Sequence, residues 1–244
     1  MNYAILLSGG TGTRTGADIP KQYVRTDGHM MVTYALSVLV NSPRIDKAVI
    51  TADEAWRDEI IKDAEALGLD TSKIAGFASP GDTRQLSILS AIEFICGNCE
   101  DSKGLTGTEA GSGADVDTVL VHDAARPFIT QELISACYDA LPGYNGVMPV
   151  LPMKDTVYLS EDGKAISGLL DRSTVFAGQA PELFRLKPYY EAIMRLMPDE
   201  ILKINGASEP AVMGGMKIAM IPGDEKNVKV TSAVDLEKYK NVGR

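Results

Sequence analysis

Two hydrophobic rhythms run along this chain. Short, nearly continuous apolar runs at residues 3–7, 47–51, 74–78, 118–122 and 146–150 read as buried strands. Between them, residues 32–40, 55–67, 82–95 and 130–140 carry helical patterning. In 55–67 the apolar positions Trp56, Ile60, Ala64 and Leu67 fall at spacings of 4, 4 and 3, which lines them along one helix face. Asp82 and Thr130 stand where helix caps belong. Further on, a helix is expected near 186–197, a strand at 217–221, a short segment at 227–231 and a last helix capped by Ser232. Strands alternating with helices of about ten or more residues predict an α/β fold, a mostly parallel sheet with helices on both faces.

Two stretches break the rhythm. Residues 97–113 carry five glycines with Ser, Thr and acids between them, and are expected to form a flexible surface loop. Residues 155–177 flank the turn Glu161-Asp162-Gly163 with strand-like segments, the pattern of a β-hairpin arm projecting from the sheet. Val157, Ile166, Leu169, Leu170 and Val175 put more apolar surface on that arm than water tolerates. A twofold homodimer, with each arm embracing the other subunit, is the expected solution.

Composition narrows the class. At 45% hydrophobic and 23% charged residues the chain is an ordinary globule, not a disordered or coiled-coil protein. No apolar run is long enough to span a membrane, and MNYAILLSGG lacks the basic start of a secretory leader. A net charge of −9 disfavours binding to nucleic acid. Three cysteines cannot build a disulfide framework, which fits a reducing cytoplasm. Cys96 and Cys99 form a C-x-x-C, but without a second pair or a nearby histidine two helix-end thiols is the better reading. Neither His29 nor His122 sits beside a G-x-S-x-G elbow, so Ser-His-Asp hydrolysis finds no support.

Candidate chemistry begins right after the first strand, at Leu7-Ser8-Gly9-Gly10-Thr11-Gly12-Thr13-Arg14. Glycines there let backbone N–H groups approach a polyphosphate. The loop lacks the Gly-Lys-Ser/Thr ending of a P-loop, and Thr15 stands where the dinucleotide fingerprint needs its third glycine. Lys21 follows, in Pro20-Lys21-Gln22-Tyr23. Two cations flanking a phosphate cradle suit transfer between phosphates, where charge developing on phosphorus and leaving group must be offset. Asp123 lies just past the end of a buried strand, where open α/β sheets place ligands. It can hold Mg²⁺ or a hydroxyl, or simply pair with Arg126. Asp82 is a helix cap, part of a site, or both. Arg172, taken alone, reads as a surface arginine.

Five ordered blocks carry a resemblance. They are 7–14, 20–23, Gly81-Asp82-Thr83-Arg84 with Ser87, Val121-His122-Asp123-Ala124-Ala125-Arg126-Pro127, and Asn227-Val228-Lys229-Val230-Thr231. Together they resemble the 2-C-methyl-D-erythritol 4-phosphate cytidylyltransferases and the closely similar D-ribitol-5-phosphate cytidylyltransferases, over about residues 3–237. The resemblance implies one Rossmann-like α/β domain over 1–244 with a β-arm, a cytoplasmic homodimer, and use of CTP and Mg²⁺ with no nucleic acid or membrane as partner. Carried over position by position, CTP meets Leu7, Ser8, Gly9, Gly10, Thr11, Gly12, Thr13, Arg14 and Lys21. Its base and ribose meet Gly81, Asp82, Thr83, Arg84 and Ser87, and Asp123 and Ala124 complete the site. Arg14 and Lys21 would stabilise the transition state, and Asp123 would carry the metal. The polyol phosphate would meet Asp123, Arg126, Thr156, Arg172 and Lys229, with Arg172 reaching across the dimer. Arg14, Lys21, Arg172 and Lys229 are thus the catalytic set.

The chain departs from the pattern near the acceptor side. Gln179-Ala180-Pro181-Glu182-Leu183-Phe184 replaces the usual Gln-Thr-Pro-Gln-x-Phe, and Ile204-Asn205 stands about where a Thr-Asp pair is common. Residues 155–179 look closer to the ribitol branch, so either polyol phosphate fits. A non-catalytic nucleotide-binding protein of the same fold is the alternative from another class, and a nucleotidyltransferase for another sugar or polyol phosphate is a further one.

Overall fold

The computed structural model describes residues 1–10, 19–98 and 117–241. In chain order its elements are β1 (Asn2–Leu7), β2 (Arg25–Thr26), β3 (His29–Met30), α1 (Met31–Val40), β4 (Lys47–Thr51), α2 (Glu54–Ala66), β5 (Ile74–Ala78) and α3 (Arg84–Asn98). Then come β6 (Thr118–Asp123), α4 (Gln131–Ala140), β7 (Gly146–Pro152), β8 (Val157–Leu159), β9 (Gly168–Leu170), β10 (Phe176–Gly178) and β11 (Glu182–Arg185). The chain ends with α5 (Leu186–Arg195), α6 (Ser208–Met213), β12 (Ile218–Pro222) and α7 (Ala233–Lys240).

The main sheet runs β10-β7-β11-β6-β1-β4-β5, with β12 also on β7. β1 pairs parallel with β4 and β6, β4 with β5, and β12 with β7. β11 runs antiparallel between β6 and β7, and β10 antiparallel along β7. The mostly parallel α/β fold expected from the apolar rhythm is therefore present. Successive side chains of a strand point to opposite faces, so β1 feeds two cores. Ala4 and Leu6 pack with α1, α2 and α4, through residues such as Leu36, Ile60 and Ile134. Tyr3 and Ile5 pack with α3 and α5, through Ile88, Ile92, Tyr189 and Ile193. Continuous apolar runs follow, because both faces of the inner strands are covered.

Several expectations need correction. The arm is shorter than the 155–177 hairpin: β8 and β9 pair antiparallel, but Arg172–Thr174 is a 3-10 turn and β10 returns to the main sheet. Asp171 makes that turn, its carboxylate accepting from the Ser173 N–H at 3.0 Å and hydroxyl at 2.7 Å. The helix expected from Asp82 is capped by Thr83 instead, whose Oγ1 accepts the Leu86 N–H at 3.2 Å. α3 continues to Asn98, so the first two residues of the expected 97–113 loop are helical; the rest of that loop, with Cys99, lies outside the described residues. Residues 227–231 form no strand, although the Val230 N–H donates to the Ala125 carbonyl at 2.8 Å.

Three features were not anticipated. β11 and α6 are two of them. The third is the β2–β3 hairpin, turned by Asp27 and Gly28 at φ 51° and 91°, the left-handed pair that a two-residue turn of this kind requires. Buried Asp63 on α2 fastens this hairpin. Its carboxylate accepts from the Met30 N–H at 2.8 Å, Thr33 Oγ1 at 2.5 Å and Arg25 Nη1 at 2.5 Å, with His29 Nδ1 at 3.3 Å.

Burial works against the charge on Asp63, but the donors from Thr33, Met30 and Arg25 outweigh it and hold the carboxyl below its ordinary value. A depressed carboxyl adds stability that is present above the unfolded value of about 3.9 and lost as pH falls through the folded one. Asp63→Ala should therefore cost about 3 kcal/mol of unfolding free energy at pH 7. Urea titrations at stepwise lower pH should show the gap between variant and parent narrowing below about pH 4. A gap independent of pH would assign the loss to packing instead.

Candidate active site

β1 and β6 are parallel neighbours with Leu7 opposite Asp123, so the chain leaves both strands at the same edge. The Ala124 N–H extends the ladder by donating to the Leu7 carbonyl at 3.0 Å. That edge is where open α/β sheets bind ligands. Beyond β1, Ser8 is tied to β4: its N–H and hydroxyl donate to the Thr51 carbonyl at 3.0 and 2.8 Å. Gly9 passes so close to Pro80 that any Cβ there would overlap the proline ring. A 3-10 turn, Lys21–Tyr23, closes over the loop. Gln22 Nε2 donates to the Ser8 and Gly10 carbonyls at 2.6 and 2.7 Å, and the Tyr23 hydroxyl donates to Ser8 at 2.9 Å. Tyr23 in turn stacks on Trp56, ring centres 4.2 Å apart. Lys21 is thereby carried on a rigid turn against the glycines.

Across the opening, the Gly81 N–H donates to Ser87 Oγ at 3.0 Å, and Ser87 Oγ donates to the Thr83 carbonyl at 3.0 Å. Between the two walls lies a cavity of about 580 Å³. Leu7, Ser8, Gly9, Gly10, Lys21, Gly81, Asp82, Thr83, Arg84, Ser87, Asp123 and Lys229 all line it, together with Gln22, Thr51, Pro80 and Ala125.

Its charges are coupled. Lys229 Nζ lies 2.8 Å from Asp123 Oδ2, and Arg84 Nε and Nη2 donate to Asp123 Oδ1 at 3.2 and 3.1 Å. Arg126 Nε stands 4.0 Å from Oδ2. Arg84 Nη2 also reaches Glu182 Oε1 at 3.5 Å. Burial opposes the Asp123 charge, yet Arg84 and Lys229 hold its carboxyl far below the usual carboxylate range. For Glu182, burial pushes the carboxyl up; Arg84 pulls it down and Asp123 adds to the rise. His122 is fully buried beside them and does not line the cavity; its Nε2 donates to the Arg126 carbonyl at 3.0 Å. Burial drives its imidazole down to about 4, so it is neutral near pH 7.

Most of the motif residues expected at the site are thus brought together, and some are not. Thr11, Gly12, Thr13 and Arg14 lie outside the described residues. Ala124 is buried, and Ala125 faces the cavity in its place. Arg126 does not line the cavity; it faces Asp123 and donates from Nη1 to the Asn227 carbonyl at 2.7 Å. Thr156 and Arg172 are exposed and line no part of the cavity, with Arg172 Nη1 on the Lys154 carbonyl at 2.8 Å. Gln22, Thr51, Pro80 and Ala125 were not among the expected site residues, although Gln22 and Ala125 lie in recognised blocks and Pro80 borders one. Mg²⁺ asks for one or two carboxylates and takes its other oxygens from phosphates and water. A strand-end Asp123 next to a glycine cradle meets that demand, whereas the described residues hold no cluster of three or more His, Cys, Asp or Glu that could cage a metal alone.

Known proteins resemble this chain in sequence and fold. The chain is 28% identical to a bifunctional IspD/IspF enzyme of Maricaulis maris over 96% of its own length, spanning 55% of that longer protein. It is 25% identical to the ribitol-5-phosphate cytidylyltransferase of Lacticaseibacillus paracasei, covering 97% of this chain and 95% of that one. The 2-C-methyl-D-erythritol 4-phosphate cytidylyltransferase of Francisella tularensis superposes with a TM-score of 0.74 at 22% identity, over 98% of this chain and 97% of the other, a likeness of fold. The profile described as IspD, 2-C-methyl-D-erythritol 4-phosphate cytidylyltransferase, matches residues 3–241, nearly the whole span from β1 to α7. With glycine cradle, Lys21 turn and Asp123 cluster all inside that match, the chain belongs to the IspD family of cytidylyltransferases.

Proposed function

We propose that this protein transfers CMP from CTP to a small polyol phosphate, 2-C-methyl-D-erythritol 4-phosphate or D-ribitol 5-phosphate, releasing pyrophosphate. The observation that carries the reading is the convergence of Leu7–Gly10 backbone, Lys21, Lys229 and Asp123 on one cavity at the ends of β1 and β6. The glycine cradle takes the triphosphate, and the Gly81–Ser87 wall takes base and ribose. An oxygen of the acceptor phosphate attacks the α-phosphorus. The bond from that phosphorus to the bridging oxygen breaks, and pyrophosphate departs. A phosphate monoester is already an anionic nucleophile near neutral pH, so no general base is needed, in keeping with a cavity that His122 does not line. Lys21, with Arg14, offsets the charge that grows on the α-phosphate; Lys229, with Arg172 from a partner subunit, holds the acceptor. Mg²⁺ held at Asp123 would neutralise phosphate charge. Cations on both sides are needed because two anions must be brought into contact.

A panel of polyol phosphates with CTP, read by pyrophosphate release, tests the reaction and chooses the acceptor. Turnover that is much better with UTP, GTP or ATP would overturn the base assignment. Lys21→Ala should lower kcat about a hundredfold or more with little change in CTP affinity, since loss of one transition-state donor costs roughly 3–4 kcal/mol. Near-normal kcat with weakened CTP binding would make Lys21 a ground-state contact.

The arm supports the dimer. Tyr158, Leu159, Ile166 and Leu169 on it are 55%, 49%, 67% and 66% exposed in the single chain, a strip that needs a covering surface. If arms are exchanged, mixing Arg172→Ala with Lys21→Ala protein should restore up to about a quarter of wild-type sites, by the counting of a twofold dimer. No recovery despite proven subunit exchange would place Arg172 in its own chain's site, and a monomer in sedimentation would remove the exchange altogether.

A further inference from the structure

The backbone of the glycine loop is satisfied on one side only. Where the chain leaves β1, the Leu7 carbonyl accepts from Ala124, and the Ser8 N–H and hydroxyl are spent on Thr51. The Ser8 carbonyl accepts twice, from Gln22 Nε2 at 2.6 Å and from the Tyr23 hydroxyl at 2.9 Å, which fills both of its lone pairs. The second N–H of the same amide goes to the Gly10 carbonyl at 2.7 Å. Gln22 is 4% exposed, and since both of its partners are acceptors only the nitrogen end of its amide can face them. The Gly9 N–H, by contrast, has no partner among the described residues, and Gly9 lines the cavity.

The peptide plane links these facts. The Ser8 carbonyl and the Gly9 N–H belong to one planar trans unit and point in opposite directions. Drawing the carbonyl onto the Lys21–Tyr23 turn therefore aims the N–H away from that turn and leaves it free for an anion in the cavity. The loop itself does not enforce this orientation. Glycine takes φ of either sign, so the plane between Ser8 and Gly9 can turn over at little cost. A turned plane would present a carbonyl oxygen to a phosphate and replace attraction with repulsion. We infer that Gln22 is a positioning residue that locks the Ser8–Gly9 peptide plane and so keeps the Gly9 N–H aimed at the phosphates of the nucleotide. The inference rests on the proposed reading of Leu7–Gly10 as the triphosphate cradle. Gln22 brings no charge of its own, unlike Lys21 beside it; it acts through the loop backbone.

Calorimetric titration of the full-length protein with CTP and with cytidine, in Mg²⁺ and without acceptor, provides the test. Cytidine offers base and ribose to the Gly81–Ser87 wall and brings no phosphate. Gln22→Met keeps the length of the side chain and removes both donors. It should weaken CTP binding about tenfold, the effect of one charge-assisted hydrogen bond, and leave cytidine binding unchanged. The loss should persist in a Lys21→Ala background, because the peptide plane is held whether or not the lysine is present. Equal losses for CTP and cytidine, or no loss for either, overturn the inference. So does a CTP loss that disappears with Lys21→Ala, since Gln22 would then act through the lysine. Thermal unfolding checks that the variants are folded; if Gln22→Met is not, the parent protein decides by nuclear magnetic resonance. Its Gly9 amide proton should move downfield with CTP and stay in place with cytidine, and an unmoved resonance overturns the inference. A parent that binds CTP no more tightly than cytidine overturns the cradle reading itself, and this inference with it.

Discussion

Asp123 keeps its charge at 7% exposure, and a carboxylate so far from water survives ionised only where other groups replace its hydration. Those groups come from separate parts of the chain: Arg84 from α3, Arg126 from the turn after β6, and Lys229 from the segment before α7. Each has to be placed, and much of the surrounding structure does so. Lys229 sits on a segment held down at several points. Gln179 exchanges two 3.0 Å hydrogen bonds with the backbone of Asp224, Asn227 Nδ2 donates to the Ala180 carbonyl at 2.7 Å, and Arg126 grips the Asn227 carbonyl. The short link between β10 and β11 therefore clamps the lysine that pairs with Asp123. Breaking that clamp would leave a buried charge with one partner fewer, a larger penalty than the hydrogen bonds alone imply.

The same clamp runs through two of the sequence departures, at 180 and 182. Residue 180 takes part through its carbonyl, which alanine supplies as well as threonine. Glu182 points behind Arg84 rather than toward an acceptor. Asn205 lies in a turn whose N–H donates to Glu209 at 3.0 Å. None of the three lines the cavity. Differences that choose between acceptors are better sought on the arm, where Thr156 and Arg172 are exposed.

The strand run 47–51 was legible to the residue, because inner parallel strands are apolar on both faces; 74–78, the edge strand, was legible from its apolar run and the Ser79-Pro80 that follows it. β11 was not: four residues long, opening on a glutamate next to a proline, it has neither alternation nor length to announce it. Its place between β6 and β7 is decided by tertiary packing. The β2–β3 hairpin could have been found, since Asp27-Gly28 carries the strongest short signal for such a turn; two-residue strands simply offer no periodicity around it. At the site, the motif blocks located the cradle, Lys21 and Asp123. What they could not convey is direction. Arg84 lines the cavity where the nucleotide was expected, and its guanidinium turns on Asp123 and Glu182. Arg126, read as pairing with Asp123 or as meeting a substrate phosphate, stands 4.0 Å from Asp123 Oδ2.

The electrostatics of the cavity run against those of the chain. The protein carries a net −9, yet the groups lining the cavity include Lys21, Arg84 and Lys229 against Asp82 and Asp123. A low-dielectric cleft focuses such a local excess, while charges more than about 8 Å away in physiological salt are largely screened. A small, highly charged anion that fits the cleft therefore meets an attractive field at contact range. The pairing within the cluster has a second consequence. Because Asp123 already satisfies Lys229 and Arg84 in the free protein, the cations are held in place and partly neutralised before an anion arrives, so binding exchanges one set of partners for another rather than ordering loose side chains. That exchange limits the entropy lost on binding and lowers the cost of keeping a cationic cluster in a stable fold.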